Sequence, residues 1–182
     1  MVDELRDGPD CRQRFNGVDT EYLTRLLMQK NEFAKVIGRA GVTIEEIRRR
    51  HTARVKGIDI ENSDERMISI DGDFSQIDGA FDDILDILFT AYQEYVHESN
   101  ESAAQFAVYM LVDDSKAGKI IGSKGNKMNS IQDRSGCHIR ILKDVRNMFG
   151  LTLRVLILEG RPGQIRIAHA GIMELFKTSP LL

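Results

Sequence analysis

The feature that most constrains this chain is an internal duplication. Residues 35–41 read Lys-Val-Ile-Gly-Arg-Ala-Gly and align with residues 119–125, Lys-Ile-Ile-Gly-Ser-Lys-Gly, at an offset of 84. Farther on, Gly72 aligns with Gly160 at an offset of 88, so the second copy carries four additional residues. A period of this length is too long for a solenoid, and the chain is predicted to hold two copies of one module of about 70 residues.

The four additional residues are expected in a surface loop, because insertions are best tolerated where the backbone is solvated. Residues 144–150 are the candidate segment. The modules themselves are predicted to span residues 22–92 and 105–178, joined by a linker over 93–104. Residues 1–21 form an acidic N-terminal segment that is expected to be flexible.

Apolar periodicity and helix signals predict the same six elements in each copy. In the first copy they are a strand over 22–28 (whose leucines and methionine would also suit a helix), helices over 33–37 and 42–50, strands over 54–60 and 67–70, and a helix capped by Asp73 or Ser75 that ends at Leu88. In the second copy they are a strand over 106–112, a helix ending at 121, a helix over 127–134, strands over 138–142 and 151–159, and a helix over 163–176. The predicted class is α+β, each module having the order β-α-α-β-β-α with a three-stranded antiparallel sheet covered on one face by three helices.

Composition excludes several classes of protein. The longest apolar runs, such as 155–158, are far shorter than the ~18 residues that cross a bilayer. Residues 1–7 are acidic and lack an apolar segment, so no secretory signal and no membrane association are expected. Two cysteines are too few for a disulfide framework. We therefore expect an intracellular protein, in the nucleus, the cytoplasm or both.

Neither a catalytic nor a metal-binding arrangement is apparent in the sequence. The four histidines lack metal-ligand spacing with one another and with the two cysteines. Ser123 lies in a glycine turn without a histidine base predicted beside it. The sequence of residues 122–125 also differs in order and length from a Walker-type phosphate loop. A binding module is expected, not an enzyme, and no cofactor or metal is expected.

The Gly-x-x-Gly step of each copy joins two predicted helices. Glycine lets the chain turn there without a Cβ clash and lets another backbone come close. The turn also presents the first N–H groups of the following helix, which attract anions such as phosphate. Arg39 and Lys124 add a positive charge to each turn. One such step is common in helix hairpins, whereas two steps in matching surroundings indicate a duplicated phosphate site.

These turns and their flanks resemble the signature of type I KH domains, which clamp about four nucleotides of a single strand. The resemblance rests on residues 36–41 and 120–125 and covers both modules. Within the family, residues 26–31 and 154–160 are most similar to heterogeneous nuclear ribonucleoprotein K and the poly(C)-binding proteins, with Nova-type splicing regulators next.

The resemblance implies a groove between the turn with its second helix and the second strand. The implied groove residues of the first copy are Gly38, Arg39, Ala40, Gly41, Ile44, Arg48, Val55, Lys56 and Gly57. Those of the second copy are Gly122, Ser123, Lys124, Gly125, Met128, Gln132, Ile139, Arg140 and Ile141. In this family an arginine six residues before the glycine after the third strand reaches a base edge, and Arg66 and Arg154 hold that position.

Simpler structural roles remain open for some of these residues. Ile44, Val55, Met128 and Ile139 would equally suit core packing, and the two arginines a solvated strand edge. Neither groove has an aromatic residue at a mapped position, so aliphatic contacts and hydrogen bonds are expected instead of base stacking.

Charge distinguishes the two copies. Residues 22–92 carry 10 lysines and arginines against 13 acidic residues, a net charge of −3. Residues 105–178 carry 12 against 6, a net charge of +6. Glu45 and Glu46 also place acid on the second helix of the first copy. The second copy is therefore expected to have the stronger attraction for a phosphate backbone.

The resemblance and the two turns together predict sequence-selective binding of single-stranded RNA, with pyrimidine-rich RNA a candidate ligand. The expected role is post-transcriptional regulation of mRNA through splicing, stability or translation. Two alternatives remain open: a protein-interaction scaffold in which one or both copies no longer bind RNA, and single-stranded DNA binding.

The final helix of the first copy has more apolar surface than one sheet can cover. Its apolar residues span an arc of about 200°, against the ~100° that one sheet requires. The surplus, including Phe89 and Tyr92, is expected to pack on the first strand and last helix of the second module. A homodimer through the same surface is the alternative.

Overall fold

The computed structural model describes residues 22–99 and 105–177. The first module consists of β1 (Tyr22–Gln29), α1 (Lys30–Ile37), α2 (Val42–His51), β2 (Arg54–Asp59), β3 (Glu65–Gly72) and α3 (Phe74–Ser99). The second consists of β4 (Ala107–Asp113), α4 (Asp114–Ile121), α5 (Asn126–Ser135), β5 (His138–Met148), β6 (Leu151–Glu159) and α6 (Pro162–Lys177). The predicted order β-α-α-β-β-α is confirmed in both modules, and β1 is a strand. The predicted N-terminal segment, 1–21, lies outside the described residues.

Helix α3 is longer than predicted. Asp73 caps its start: the Asp73 Oδ1 accepts the Gln76 N–H at 2.9 Å, and the Gln76 side-chain oxygen accepts the Asp73 N–H at 2.9 Å. Its helical hydrogen bonding continues to Ser99, seven residues into the segment expected as a linker. Although it has 26 residues, neither α3 nor another helix in the described part of the chain is apolar enough to span a bilayer.

The additional residues of the second module lengthen a hairpin, and the prediction of a loop over 144–150 is wrong. Strand β5 continues to Met148 and pairs with β6 on both sides of an irregularity between Ile141 and Val145. The connection is only Phe149 and Gly150, both with positive φ (55° and 69°). Two such residues make a turn whose twist matches that of the flanking strands, so pairing continues to Met148 opposite Leu151.

The two three-stranded sheets join into one six-stranded sheet. Its order is β2-β3-β1-β4-β6-β5, and the modules meet where β1 pairs antiparallel with β4, Leu26 opposite Met110. Strands β2 and β5 are therefore the two edges. The apolar residues of both modules that face the helices form one continuous core.

Aromatic contacts between the modules use the surplus surface of α3. The Phe106 ring of the second module lies 5.1 Å from Phe89 and 5.3 Å from Tyr92, centroid to centroid. Arg166 of α6 also pairs with Asp82 of α3 at 3.0 Å. The prediction that this surface packs on the second module within one chain is confirmed by these contacts.

A buried polar cluster lies at the centre of that interface. The His169 ring of α6 stacks on Phe81 of α3 at 3.8 Å, and its Nε2 is 3.0 Å from the Thr24 hydroxyl of β1. The Thr24 hydroxyl donates to the Met173 sulfur at 3.4 Å, so His169 Nε2–H is the donor to Thr24. Burial lowers the pKa of His169 from 6.5 to about 3, which keeps the ring neutral.

The sheet face away from the helices also buries apolar side chains. Six of them form a second cluster: Leu27, Met67, Leu111, Leu153, Val155 and Ile157. The twist of the sheet brings β3 and β5, which are not neighbouring strands, together across this face. There Arg146 of β5 pairs with Glu65 of β3 at 2.5 Å. The long β5–β6 hairpin thus holds the first module from the side opposite the helices.

The neutral His169 makes stability depend on pH. The unfolded chain binds a proton below about pH 6.5, whereas the folded chain resists protonation down to about pH 3. His169 therefore does not reduce the free energy of unfolding above pH 6.5. Between pH 6.5 and about pH 3 it lowers that free energy by about 1.4 kcal/mol for each unit that the pH drops. Urea unfolding across pH 4–7 should show a steeper loss for the natural chain than for His169→Phe, in which the other titrating groups are retained. Parallel profiles would contradict the assignment.

Candidate nucleic-acid interface

The two Gly-x-x-Gly turns have the same backbone. Gly38 and Gly122 adopt φ/ψ of 75°/174° and 71°/−177°, a region open only to glycine. The third residues, Ala40 and Lys124, lie in the left-handed region at φ 52° and 53°, at a cost of about 1 kcal/mol each. Such strain at a solvent-exposed turn is typical of a functional segment.

The first glycine of each turn is also required sterically. A Cβ on Gly38 would stand 2.0 Å from the Thr43 hydroxyl oxygen, and one on Gly122 would stand 2.6 Å from Cγ of Lys127. The helix that follows therefore packs directly against the turn. Arg39, Ala40, Ser123 and Lys124, the middle residues of the two turns, are exposed.

In each module one side chain joins the helix after the turn to an edge strand. Arg48 Nε donates to the Val55 carbonyl at 2.7 Å, joining α2 to β2. At the matching position of the second module, the Gln132 side-chain oxygen accepts the Ile139 N–H at 2.7 Å, joining α5 to β5. Both predicted groove residues therefore hold the helix and the strand at a fixed distance. Arg48 does so as a hydrogen-bond donor and Gln132 as an acceptor.

The predicted apolar groove residues differ in how far they reach the surface. Ile44, Val55 and Ile139 are 4%, 1% and 2% exposed and belong to the core. Met128 and Ile141 are only partly buried and pack on its margin. The second groove thus has more accessible aliphatic surface among the residues predicted from the sequence.

An aromatic side chain that the sequence mapping missed lies at the first groove. A Cβ on Gly57 would stand 2.6 Å from Cζ of Phe33, so the Phe33 ring of α1 covers the β2 backbone there. At an offset of 84, Phe33 corresponds to Ala117 and Gly57 to Ile141. Phe33 is not one of the mapped groove positions, so it adds an aromatic ring beside them in the first module. The sequence signal that could have identified Phe33 is this exchange of residue size, in which the first copy has the large residue on the helix and the second has it on the strand.

The arginines predicted to read base edges are engaged with the protein. Arg66 Nε pairs with Asp59 at 2.7 Å, and its Nη1 donates to the Ser63 carbonyl at 2.8 Å. Arg154 Nε pairs with Asp114 at the start of α4. Their side chains are 17% and 30% exposed, so a base would have to share or replace these partners.

Acidic neighbours neutralise much of the positive charge on α2. Glu45 pairs with Arg48 at 2.9 Å, and Glu46 pairs with Arg50 at 2.7 Å. Among the described residues, Arg39 and Lys56 of the first groove are exposed and make no ion pair. The first groove therefore has two uncompensated cations.

The second groove has more free positive charge. Lys119, Lys124 and Lys127 are exposed, and none of them pairs with an acidic group in the described ranges 22–99 and 105–177. Arg140 on the opposite wall pairs with Glu159 at 2.5 Å. Together these lysines surround the turn with charge suited to a phosphate backbone.

Comparison with known proteins gives a family match and a yeast relative. The KH domain model matches residues 23–86 and 107–174, one match in each module. PAB1-binding protein 2 of Saccharomyces cerevisiae is 24% identical over 167 residues, which cover 91% of this chain. The chain spans only 38% of the length of that yeast protein.

Solved archaeal structures resemble the chain more distantly. Dim2p of Pyrococcus horikoshii OT3 covers 89% of this chain, over 93% of its own, at 23% identity and a TM-score of 0.29. The same organism's complex of a/eIF2α, aDim2p and rRNA covers 88% of each chain at 22% identity and a TM-score of 0.30. Scores this low say nothing about the function of this chain.

The Phe33–Gly57 contact should be visible in stability. Gly57→Ile alone should cost about 1–3 kcal/mol, because its side chain overlaps the ring. Phe33→Ala alone should cost up to about 3 kcal/mol, because the removed ring is only partly buried. The double variant reproduces the Ala117–Ile141 arrangement and should lose at least ~1 kcal/mol less than the sum. Urea unfolding of the four proteins measures this coupling, and strictly additive losses would contradict the contact.

Proposed function

Because this chain belongs to the KH domain family, we propose that it binds single-stranded RNA through two grooves, one in each module, and acts in post-transcriptional regulation of mRNA. The observation that carries the proposal is the duplicated strained turn, which is exposed and is followed in both modules by a helix hydrogen-bonded to an edge strand. A strand of about four nucleotides would lie in each groove, with phosphate at the turn and bases towards the edge strand.

The proposed contacts fall into three groups. Phosphate would meet the turn residues: Gly38, Arg39, Ala40 and Gly41, and Gly122, Ser123, Lys124 and Gly125. Bases would meet the strand and helix walls: Ile44, Val55, Lys56 and Gly57, and Met128, Ile139, Arg140 and Ile141. Arg48 and Gln132 would hold the walls together, and Arg66 and Arg154 would reach bases by exchanging their carboxylate partners.

We assign the larger electrostatic contribution to the second groove. Lys119, Lys124 and Lys127 are uncompensated there, whereas α2 of the first module neutralises Arg48 and Arg50 with its own glutamates. Each phosphate neutralised on a single strand releases counterions and strengthens binding at low salt. The second groove would therefore provide most of the affinity, and the first would add a dependence on RNA length.

RNA is preferred over a protein ligand because of the turns. The left-handed conformation of the exposed Ala40 and Lys124 lowers stability, and phosphate binding at the turns would be a function that requires this geometry. A protein-interaction scaffold would require neither the strain nor the free lysines. The same grooves would accept single-stranded DNA wherever recognition does not involve the 2′-hydroxyl.

Two aspartates in the second turn should abolish its phosphate contact. Ser123→Asp with Lys124→Asp places negative charge against phosphate, and aspartate tolerates the left-handed position of residue 124. RNA affinity of the whole chain should fall at least about tenfold, while the unfolding midpoint moves by only a few degrees. Fluorescence anisotropy and thermal unfolding are the measurements.

Two matched variants sharpen this test. Arg39→Asp with Ala40→Asp should weaken binding less, because the first groove is the less charged one. Ser123→Asn with Lys124→Asn retains size without negative charge and separates repulsion from the loss of lysine. Undiminished RNA affinity in a folded Ser123→Asp, Lys124→Asp chain would refute the clamp.

The length of the RNA should decide whether both grooves are used. Strands β2 and β5 are opposite edges of six strands, so five inter-strand spacings separate them, about 24 Å along the sheet. An RNA that fills one groove cannot reach the other. Longer unstructured RNA should bind the chain much more tightly than a short one, through the high effective concentration of the second site. Titrations over a series of lengths measure this gain.

The Ser123→Asp, Lys124→Asp chain is the control for that series, since it should lose the gain and retain only the weaker short-strand affinity. Equal affinity of the unaltered chain for short and long RNA would mean that a single groove binds. The first module would then be reassigned to protein contacts.

A further inference from the structure

The Phe33 ring is part of the wall that a bound strand would face. It extends from α1 across the backbone of edge strand β2, and a Cβ on Gly57 would stand 2.6 and 2.9 Å from its Cζ and Cε2. Ile37 supports the same spot, with Cδ1 3.1 Å from that Cβ position. Because Gly57 has no side chain, the ring packs directly against the β2 backbone at this point.

Burial distinguishes this ring from the core. Core residues beside it, such as Val36 and Val55, are 0% and 1% exposed, whereas Phe33 is only partly buried at the margin of the core. The strand it covers is a sheet edge, with no further strand beyond it. The ring therefore lies at the margin of the core, between α1 and the edge strand, and keeps part of its surface exposed.

The second module has the large and the small residue exchanged between the two matching positions. Ala117 replaces the phenylalanine on α4, and Ile141 replaces the glycine on β5. Ile141 is partly buried against the core. The two grooves thus share a frame but differ in surface, one having an aromatic ring and the other a branched aliphatic chain.

We propose that Phe33 is a stacking surface for one nucleobase in the first groove, and that it makes this groove tolerant of base identity. The inference rests on the proposed function, since it requires that RNA enters the groove. Every base has a π-face, so stacking on an aromatic ring holds a nucleotide with little regard to sequence. Stacking also supplies affinity that the two free cations of this groove, Arg39 and Lys56, do not. The second groove lacks the ring and depends on aliphatic contact, hydrogen bonds and charge.

The test uses the whole chain with its second turn disabled by Ser123→Asp and Lys124→Asp, so that only the first groove binds. The probes are fluorescein-labelled homopolymers of adenosine, cytidine and uridine, about six nucleotides long, titrated by anisotropy. Phe33→Leu, and Phe33→Ala with Gly57→Ile, should each weaken binding of all three probes by roughly five- to a hundredfold. The paired variant preserves packing as the second module does. In a chain whose first turn is disabled instead, by Arg39→Asp and Ala40→Asp, the pair Phe33→Ala and Gly57→Ile should leave RNA binding unchanged.

A fluorescent reporter gives a second readout. The chain has no tryptophan, so Phe33→Trp introduces a single tryptophan whose fluorescence can be followed. Its emission should be quenched by the homopolymers but not by an abasic strand of equal length, which presents the same phosphates without bases. Tyr109→Trp, on central strand β4 and 43% exposed, is the matched control and should not respond.

The outcomes separate the inference from its premise. If the chain with the disabled second turn binds none of the probes, the proposed function of the first groove fails and the inference fails with it. If that chain binds the probes but Phe33→Leu and the paired variant bind them equally well, only the stacking role is overturned. Equal quenching of Phe33→Trp by the abasic strand would overturn it as well.

Discussion

Burial of the wide apolar arc of α3 is the constraint on which the rest of the structure depends. One sheet cannot cover that arc, and the second module covers the remainder through Phe106 and through the His169 ring stacked on Phe81. This packing sets β1 beside β4 and makes one sheet of two. It therefore sends β2 and β5 to opposite edges, which separates the grooves and leaves both open to solvent.

The two modules share one backbone fold but have different side chains in their grooves. Arg48 and Gln132 make the same link between helix and strand, one as a donor to a carbonyl and the other as an acceptor from an amide. Phe33 packs against Gly57 in the first module, and the matching positions of the second module, Ala117 and Ile141, have the large and small residues exchanged. Backbone geometry at the turns is unchanged because the glycine conformation admits no substitute.

Local signals predicted the elements, and the misses share a physical cause. The turns, the cap at Asp73 (one of two candidates) and the order of elements along each module follow from short-range chemistry that the sequence displays. Helix α3 continues beyond the predicted end at Leu88, where Phe106 of the second module packs on Phe89 and Tyr92. The hairpin of β5 and β6 was missed because its polar and charged residues pair with a partner strand, and polarity alone resembles a loop.

By itself, the sequence determined the duplication, the fold of each module, the two turns and the unequal charge of the two copies. These properties depend on residue identity and on contacts close along the chain. Only the tertiary structure decided that Arg66 is bound to Asp59, that Val55 is core and that Phe33 lies over Gly57. Side-chain partners that lie more than a few residues apart are chosen by packing and geometry, and a pattern along one chain does not contain the distances that make that choice.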